Sequence, residues 1–229
     1  MTSTIRIVRM RVLVASLVLL MMVLAIRPAS AQDPPPRIGL FVIDLHASVP
    51  TFPTDDAQLV SSRGLSSFAE LPGLGIGVQA AAHLYLLKVK AVTFGIGAEF
   101  AASRARQSPA GGASTTTGIA LRPVEERFST FSPQLSLNFG TGRGWSYLSG
   151  GLGMSNWALV PEGQEGFPPD SEPLKTLNYG GGARWFMKSH LAFSFDVRFY
   201  AINPGAPYQG FPGTPRTTLL VIGAGVSIK

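Results

Sequence analysis

The chain contains no cysteine. Disulfides, a lipid anchor on cysteine and thiolate metal sites are therefore excluded. Beyond residue 31 there is no apolar run approaching the roughly eighteen residues that a membrane-crossing helix needs. Nor does any stretch after residue 37 repeat its apolar residues at helical spacing, which leaves little room for helix of any kind. Lysine and glutamate are scarce, and only 14% of residues are charged. The 3 histidines are scattered and lack companion ligands, a pattern that makes no metal site.

What is present begins with an export signal. Arg6, Arg9 and Arg11 form a basic start, Val12 to Ile26 an apolar core, and Ala29-Ser30-Ala31 a small-x-small cleavage pattern. Residues 1–31 are expected to be a signal peptide and residues 32–229 one mature domain. Four of the basic residues and none of the acids precede Gln32, so the formal charge falls from +6 to +2 on cleavage. The basic pI thus belongs largely to the leader and gives no argument for nucleic acid as a partner.

The mature part alternates apolar and polar residues with a period of two, the mark of strands with two different faces. Eight strands are expected, over residues 37–48, 74–87, 91–105, 128–140, 145–157, 174–186, 190–202 and 217–228. Short links (KVK, TGRG, MKS) alternate with long ones rich in Pro, Gly, Ser and Thr, such as SPAGGASTTTG and EGQEGFPPDSEP. Long links all at one end describe an antiparallel up-and-down meander. The same pattern marks a transmembrane β-barrel. The fold class expected is all-β, an eight-stranded antiparallel up-and-down transmembrane barrel.

The two faces differ in content. LAFSFDVRFYAI (Leu191–Ile202) sets Leu191, Phe193, Phe195, Val197 and Phe199 against Ser194, Asp196 and Arg198. Elsewhere Ile76, Val78, Leu84, Phe94, Ile96, Phe100, Leu135 and Ile222 share the apolar face, with no charge among them. Gly77, His83, Gly97, Glu99, Gln134, Asn138 and Asn178 share the other. A wet outer surface would carry lysine and glutamate freely. This polar face is small and sparsely charged, as the crowded interior of a narrow barrel requires, so lipid is expected outside. Two aromatic girdles are then expected: Phe94, Phe139, Trp145 and Trp185 at the short-turn rim, and Phe100, Phe131, Trp157 and Phe199 at the long-loop rim. Glu99, Arg184, Asp196 and Arg198 are expected to form one internal network, because an ion inside a narrow barrel needs a partner. Arg184 and Asp196 lie on neighbouring strands and can pair directly or diagonally, while Glu99 can reach across the lumen toward Arg184 or Arg198.

NYGGGARWFMKSHLAFSFDVRFYAI (Asn178–Ile202), a Gly-rich strand, a tight turn and a D-x-R-x-Y strand, resembles the small eight-stranded outer-membrane β-barrel proteins, the OmpA-like and OmpX-like barrels. The resemblance covers nearly the whole mature chain and is architectural. It implies residence in the outer membrane of a Gram-negative cell, contact with outer-membrane lipid and with the barrel-assembly machinery, and a monomer. Two features depart from the pattern. The chain ends GVSIK rather than in an aromatic residue, and Pro133 falls inside the fourth strand, where a bulge or a strand start is expected.

DLHAS holds the residue types of a hydrolytic triad. Asp44, His46 and Ser48 share a face, but same-face neighbours on one strand stand about 7 Å apart, beyond hydrogen-bond reach. His83 reads as a hydrogen-bonded lumen residue and His190 as a solvated turn residue. GLGIG and GGGAR lack the strand-to-helix context of a phosphate loop. The acidic loop EGQEGFPPDSE reads as solvated. The function expected is a non-enzymatic outer-membrane barrel, porin-like and narrow or a loop-displaying scaffold, without cofactor. The competing readings are an outer-leaflet lipid-modifying enzyme at His46 and Ser48, and a secreted lipocalin-like barrel that binds a lipophilic ligand.

Overall fold

The computed structural model describes residues 38–229 except 66–68, 109–122, 141–142 and 165. The expected signal peptide lies outside the described residues, as does Arg37 at the start of the first expected strand. Eight strands follow one another: β1 Phe41–Thr51, β2 Ile76–Val89, β3 Val92–Gln107, β4 Val124–Phe139, β5 Gly144–Pro161, β6 Leu174–Phe186, β7 Leu191–Ile202 and β8 Thr217–Ile228. Each pairs antiparallel with the next, and β8 pairs back with β1, so the sheet closes. Closure leaves no strand edge to solvent or lipid. The short turns join β2–β3, β4–β5 and β6–β7, and the long connections gather at the opposite end. At the β2–β3 turn, Lys90 takes a φ of +54°.

Strands β6 and β8 span the residues that alternation marks out. β4 begins four residues before the expected Phe128, and β5 continues past Trp157 to Pro161. The extension pairs Val124 with Pro161 and Glu126 with Leu159, burying Val124, Glu126 and Leu159 while Glu125 and Arg127 point outward. The run PVEERF resembles a charged loop, yet only alternate residues of it meet solvent.

Pro133 corrects a second expectation. It sits in mid-strand with no bulge. The β4–β5 register is the same at Phe131↔Met154 and at Gln134↔Gly151, and only the two intervening pairs are interrupted. Gly151 and Gly153 let the β5 backbone pass close by there. A Cβ at Gly151 would lie 1.8 Å from the carbonyl oxygen of Pro133. The bulge in the sheet is instead between β2 and β3 at Tyr85/Leu87. It leaves both Leu86 and Leu87 on the outside.

The chain is also not purely β. Ala57–Ser62 in the first long connection forms a short helix, α1, capped by Asp56, whose side chain accepts from the amide of Leu59 at 2.9 Å. Six residues are too few to show a helical period in sequence. Leu59 and Val60 of α1 join Phe52, Phe128, Trp157, Leu159, Tyr200, Ile202 and Leu219 in one buried cluster, an apolar plug at the long-loop end. At the other end Val42, Tyr85, Trp145, Phe186 and Ala192 form a second plug.

Trp145 and Trp157 therefore do not belong to outer girdles, as their place near the strand ends suggested. Each is 1% exposed and points into the bore. On β5 the phase that turns Tyr147 and Ser149 inward also turns both tryptophans inward. Phe94, Phe100, Phe131 and Trp185 are exposed on the outside, and Phe139 and Phe199 are half-buried in the same outward register.

Candidate functional site

The middle of the bore, between the two apolar plugs, is lined by polar and charged side chains that the strands deliver from all sides. Nearest the short-turn end, Arg184 of β6 grips Asp44 of β1 across the lumen with two bonds, Nε to Oδ1 at 2.7 Å and Nη2 to Oδ2 at 2.6 Å. This parallel, two-bond geometry is the strong form of the ion pair. Nη1 of Arg184 donates to Asn138 Oδ1 at 3.0 Å, Ser227 donates to Asp44, and the guanidinium lies 3.9 Å from the centre of the Tyr147 ring.

One layer further up, Arg198 of β7 stands between two carboxylates. Its Nε is 2.8 Å from Glu99 Oε2 and 3.0 Å from Asp196 Oδ1, and Nη2 reaches Asp196 Oδ2 at 3.0 Å. The remaining donors go to Asn178 Oδ1 at 2.7 Å and Ser149 Oγ at 2.9 Å. Glu99 also accepts from Tyr200 at 2.6 Å, Asn178 at 2.9 Å and Gln134 at 3.2 Å. Burying ions is costly unless their donors and acceptors find partners, and here every nitrogen of both guanidiniums has one.

The four charges picked out in the sequence thus fall into two clusters. Glu99, Asp196 and Arg198 meet. Arg184 does not pair with Asp196; its counter-ion is Asp44, because across the β6–β7 ladder Arg184 faces Ser194 while Asp196 faces Gly182. Tyr147 joins the clusters, its hydroxyl donating to Asp196 Oδ2 at 2.6 Å and its ring beneath Arg184. Gly182 leaves room for that hydroxyl, which a Cβ there would approach to 2.9 Å. Sequence reading missed Asp44 as a counter-ion, together with Tyr147 and Tyr200. The inward phase of β5 and β7 was the signal available for the two tyrosines.

Asp44, His46 and Ser48 are all buried in the bore. His46 Nε2 lies 2.7 Å from Ser194 Oγ on β7, not on Ser48, and the Asp44 carboxylate is taken by Arg184 and Ser227. A Ser–His contact exists, but its acid is occupied and the plugs enclose it. His83 meets Gln134 Oε1 at 3.2 Å, and His190, exposed in its turn, meets the carbonyl oxygen of Lys229 at 3.2 Å. Among the described residues no group of His or acidic side chains is placed to hold a metal.

At the long-loop end a third buried arginine ties the long connections together. Arg63, just after α1, meets Asp170 Oδ1 at 2.6 Å, Thr214 Oγ1 at 2.9 Å and the carbonyl oxygen of Trp157 at 2.9 Å. Asp170 accepts in turn from the amides of Leu159 and Phe167. The acidic loop is therefore not simply solvated. Asp170 is one of its buried anchors, while Glu162 pairs with Arg106 at 2.6 Å on the surface. Phe167, Tyr208 and Phe211 meet edge-to-face on the same side, with ring centres 5.5 Å apart.

The outer wall carries Ile76, Val78, Leu84, Ile96, Phe100, Leu135, Leu148, Leu152 and Phe193, each more than 40% exposed. So broad an apolar surface is rare on water-soluble monomers and marks a surface that meets another apolar phase or a partner.

No protein-family model matches the chain, and no curated protein matches it in sequence. Among solved structures it is similar to Neisserial surface protein A, with a TM-score of 0.53 at 13% identity, covering 83% of this chain and 97% of that one. The attachment invasion locus protein of Yersinia pestis, solved with the heparin analogue sucrose octasulfate, gives a TM-score of 0.47 at 12% identity, covering 82% of this chain and 97% of that one. Both are eight-stranded outer-membrane β-barrels.

Proposed function

We propose that this chain, which has the fold of the small eight-stranded outer-membrane barrels, is a sealed, non-enzymatic barrel of a Gram-negative outer membrane that presents a surface built from its long connections. The observation that carries this reading is the filled bore. An apolar plug, two ionic layers and a second apolar plug follow one another along the axis. Eight strands leave an interior that side chains can just fill, and here they do. Of the two non-enzymatic alternatives, a narrow pore and a scaffold, this favours the scaffold.

The apolar outer wall supports membrane residence, since only a closed barrel can put strands in lipid without unpaired backbone groups. It counts against the secreted carrier too. A lipophilic ligand would need an apolar cavity where Arg184 and Arg198 stand. The enzyme reading needs a substrate path to His46 that the plugs deny. With no open edge to complete, the barrel is expected to work as a monomer, delivered by the signal peptide and folded by the assembly machinery.

The test is direct. Cells expressing the full chain are fractionated, and the purified protein is run on a gel with and without heating, then reconstituted in a planar bilayer. The expected result is outer-membrane recovery, a heat-dependent shift in mobility and no steady conductance. Recovery in the soluble periplasm overturns the membrane reading, and a stable open channel overturns the sealed bore.

A further inference from the structure

The outside of the barrel is not uniform around its circumference, and the strands β2–β5 carry a graded strip. At its top, Arg104 of β3 and Arg127 of β4 are directly opposed across the ladder, both outward and exposed. Like charges set opposite one another repel, and Glu125, which lines the groove between them, is shared by Arg127, Arg104 and Arg106. Arg127 gives its Nε to Glu125 at 2.7 Å, and Arg106 gives Nη2 to Glu162 at 2.6 Å. Among the described residues no carboxylate stands within ion-pair distance of Arg104. Among the described residues that line this groove, two guanidiniums, Arg104 and Arg127, face one carboxylate, Glu125.

Below the arginines the strip changes character row by row. Ser129 and Asn156, paired across β4–β5, set a hydroxyl and an amide oxygen next to the small Ala102, the amide nitrogen of Asn156 donating to the carbonyl oxygen of Ser171 at 3.0 Å. The next row is Phe100, Phe131 and Met154, wholly apolar. Beneath it Ala98, Pro133 and Gly150 form the floor of a shallow apolar trough walled by Ile96, Leu135 and Leu152. From Arg104 to Ala98 is six residues, about 20 Å along the strand and about 15 Å of depth at a tilt near 40°. That is about half of a ~30 Å hydrocarbon core, the thickness of one leaflet.

We propose that this strip binds a phosphorylated membrane lipid of the leaflet at the long-loop end, with a phosphate between Arg104 and Arg127 and an acyl chain in the trough over Ala98 and Gly150. Guanidinium is suited to phosphate because its planar fork can give two parallel hydrogen bonds. Ser129 and Asn156 lie where the polar linkage between phosphate and chain would pass. Elsewhere at the same rim Lys175 of β6 is outward and exposed, but faces Met154 across the ladder rather than a second cation. The proposal rests on the membrane reading above.

The experiment uses the full mature chain in vesicles of phosphatidylcholine containing either lipid A or its dephosphorylated form. Folding is first scored by heat-modifiability, and lipid retention is then read by native mass spectrometry. The wild type should retain lipid A and not the dephosphorylated form. Arg104→Gln with Arg127→Gln should reduce retention on the order of tenfold or more, the loss of charge-assisted bonds converted to a binding ratio. Arg104→Lys with Arg127→Lys should recover part of it, and Lys175→Gln should change nothing. Equal retention of both lipids, or equal loss with Lys175→Gln, overturns the site while leaving the membrane reading intact. A chain that never becomes heat-modifiable in either vesicle overturns the membrane reading, and the site with it.

Discussion

Removing the cation of the upper ionic layer should be far more damaging than removing one of its anions. Arg198 is 2% exposed and stands between Glu99 and Asp196 at 2.8 and 3.0 Å. In Arg198→Met the hydrocarbon stem is largely kept, but two carboxylates are left facing each other in a bore that excludes water. Breaking a buried pair typically costs about 3–5 kcal/mol, and like charges at this range put the variant at the upper end. In Asp196→Asn the shape is kept and Arg198 retains Glu99 as counter-ion, so the cost is about 1–2 kcal/mol of weakened hydrogen bonding. At roughly 2–4 °C per kcal/mol for a domain of this size, Arg198→Met should lower the temperature of heat-modification by about 10–20 °C. Asp196→Asn should lower it by about 2–8 °C. Adding Glu99→Gln to Arg198→Met should restore part of the loss, because it removes one of the stranded charges. Neither variant should open a conductance, since both apolar plugs remain. If Asp196→Asn is as damaging as Arg198→Met, the assignment of one shared cation to two carboxylates is wrong.

Three other outcomes can be checked. In bilayers of brominated lipid, Trp185 should be quenched while Trp145 and Trp157 are not, measured in variants that keep one tryptophan each; quenching of Trp145 would reverse the phase assigned to β5. Epitope tags at Gly163 should label on whole cells and tags at Lys90 only after lysis, and equal labelling would contradict the arrangement of turns and long connections. His46→Ala and Ser48→Ala should leave lipid A and phospholipid acylation unchanged by mass spectrometry, with His46→Ala losing about 1 kcal/mol of stability through its bond to Ser194; a lipid product that disappears with either variant would revive the enzyme.

The barrel was legible because strand alternation depends on local sequence alone. β6 and β8 could be delimited to the residue, for each begins and ends where alternation does. What could not be read was the ends of the bore. Inside a narrow barrel the polar-inward rule holds only where the lumen must be filled by satisfied ions. Where a plug packs, the inward residues are apolar as well. Trp145, Trp157, Leu159 and Leu219 therefore look outward by composition and are inward by phase. The glycines at 150, 151 and 153 add to this by erasing the phase of β5 between its two tryptophans. Asp44 reads from sequence only as one member of an unworkable triad and not as a counter-ion, since its partner Arg184 lies 140 residues away and only closure of β8 on β1 brings that wall opposite β6.

Separation along the sequence also hides how the long-loop rim is held together. Arg63, Asp170 and Thr214 come from three different long connections, and no local pattern links them. Their meeting means that the first, third and fourth connections are not independent tethers. One buried guanidinium, bonded to a carboxylate, a hydroxyl and a strand carbonyl, sets their relative positions, and Leu59 of α1 belongs to the same apolar cluster as Trp157 and Leu219. A buried ion pair adds little net stability over an apolar pair of equal volume, so its contribution here is geometric. It selects one arrangement of the connections out of many that the apolar plug alone would tolerate. A scaffold that offers a defined surface needs such a selection at its exposed end, whereas a pore would need that end open. The fixed rim and the filled bore thus support the same reading on separate physical grounds.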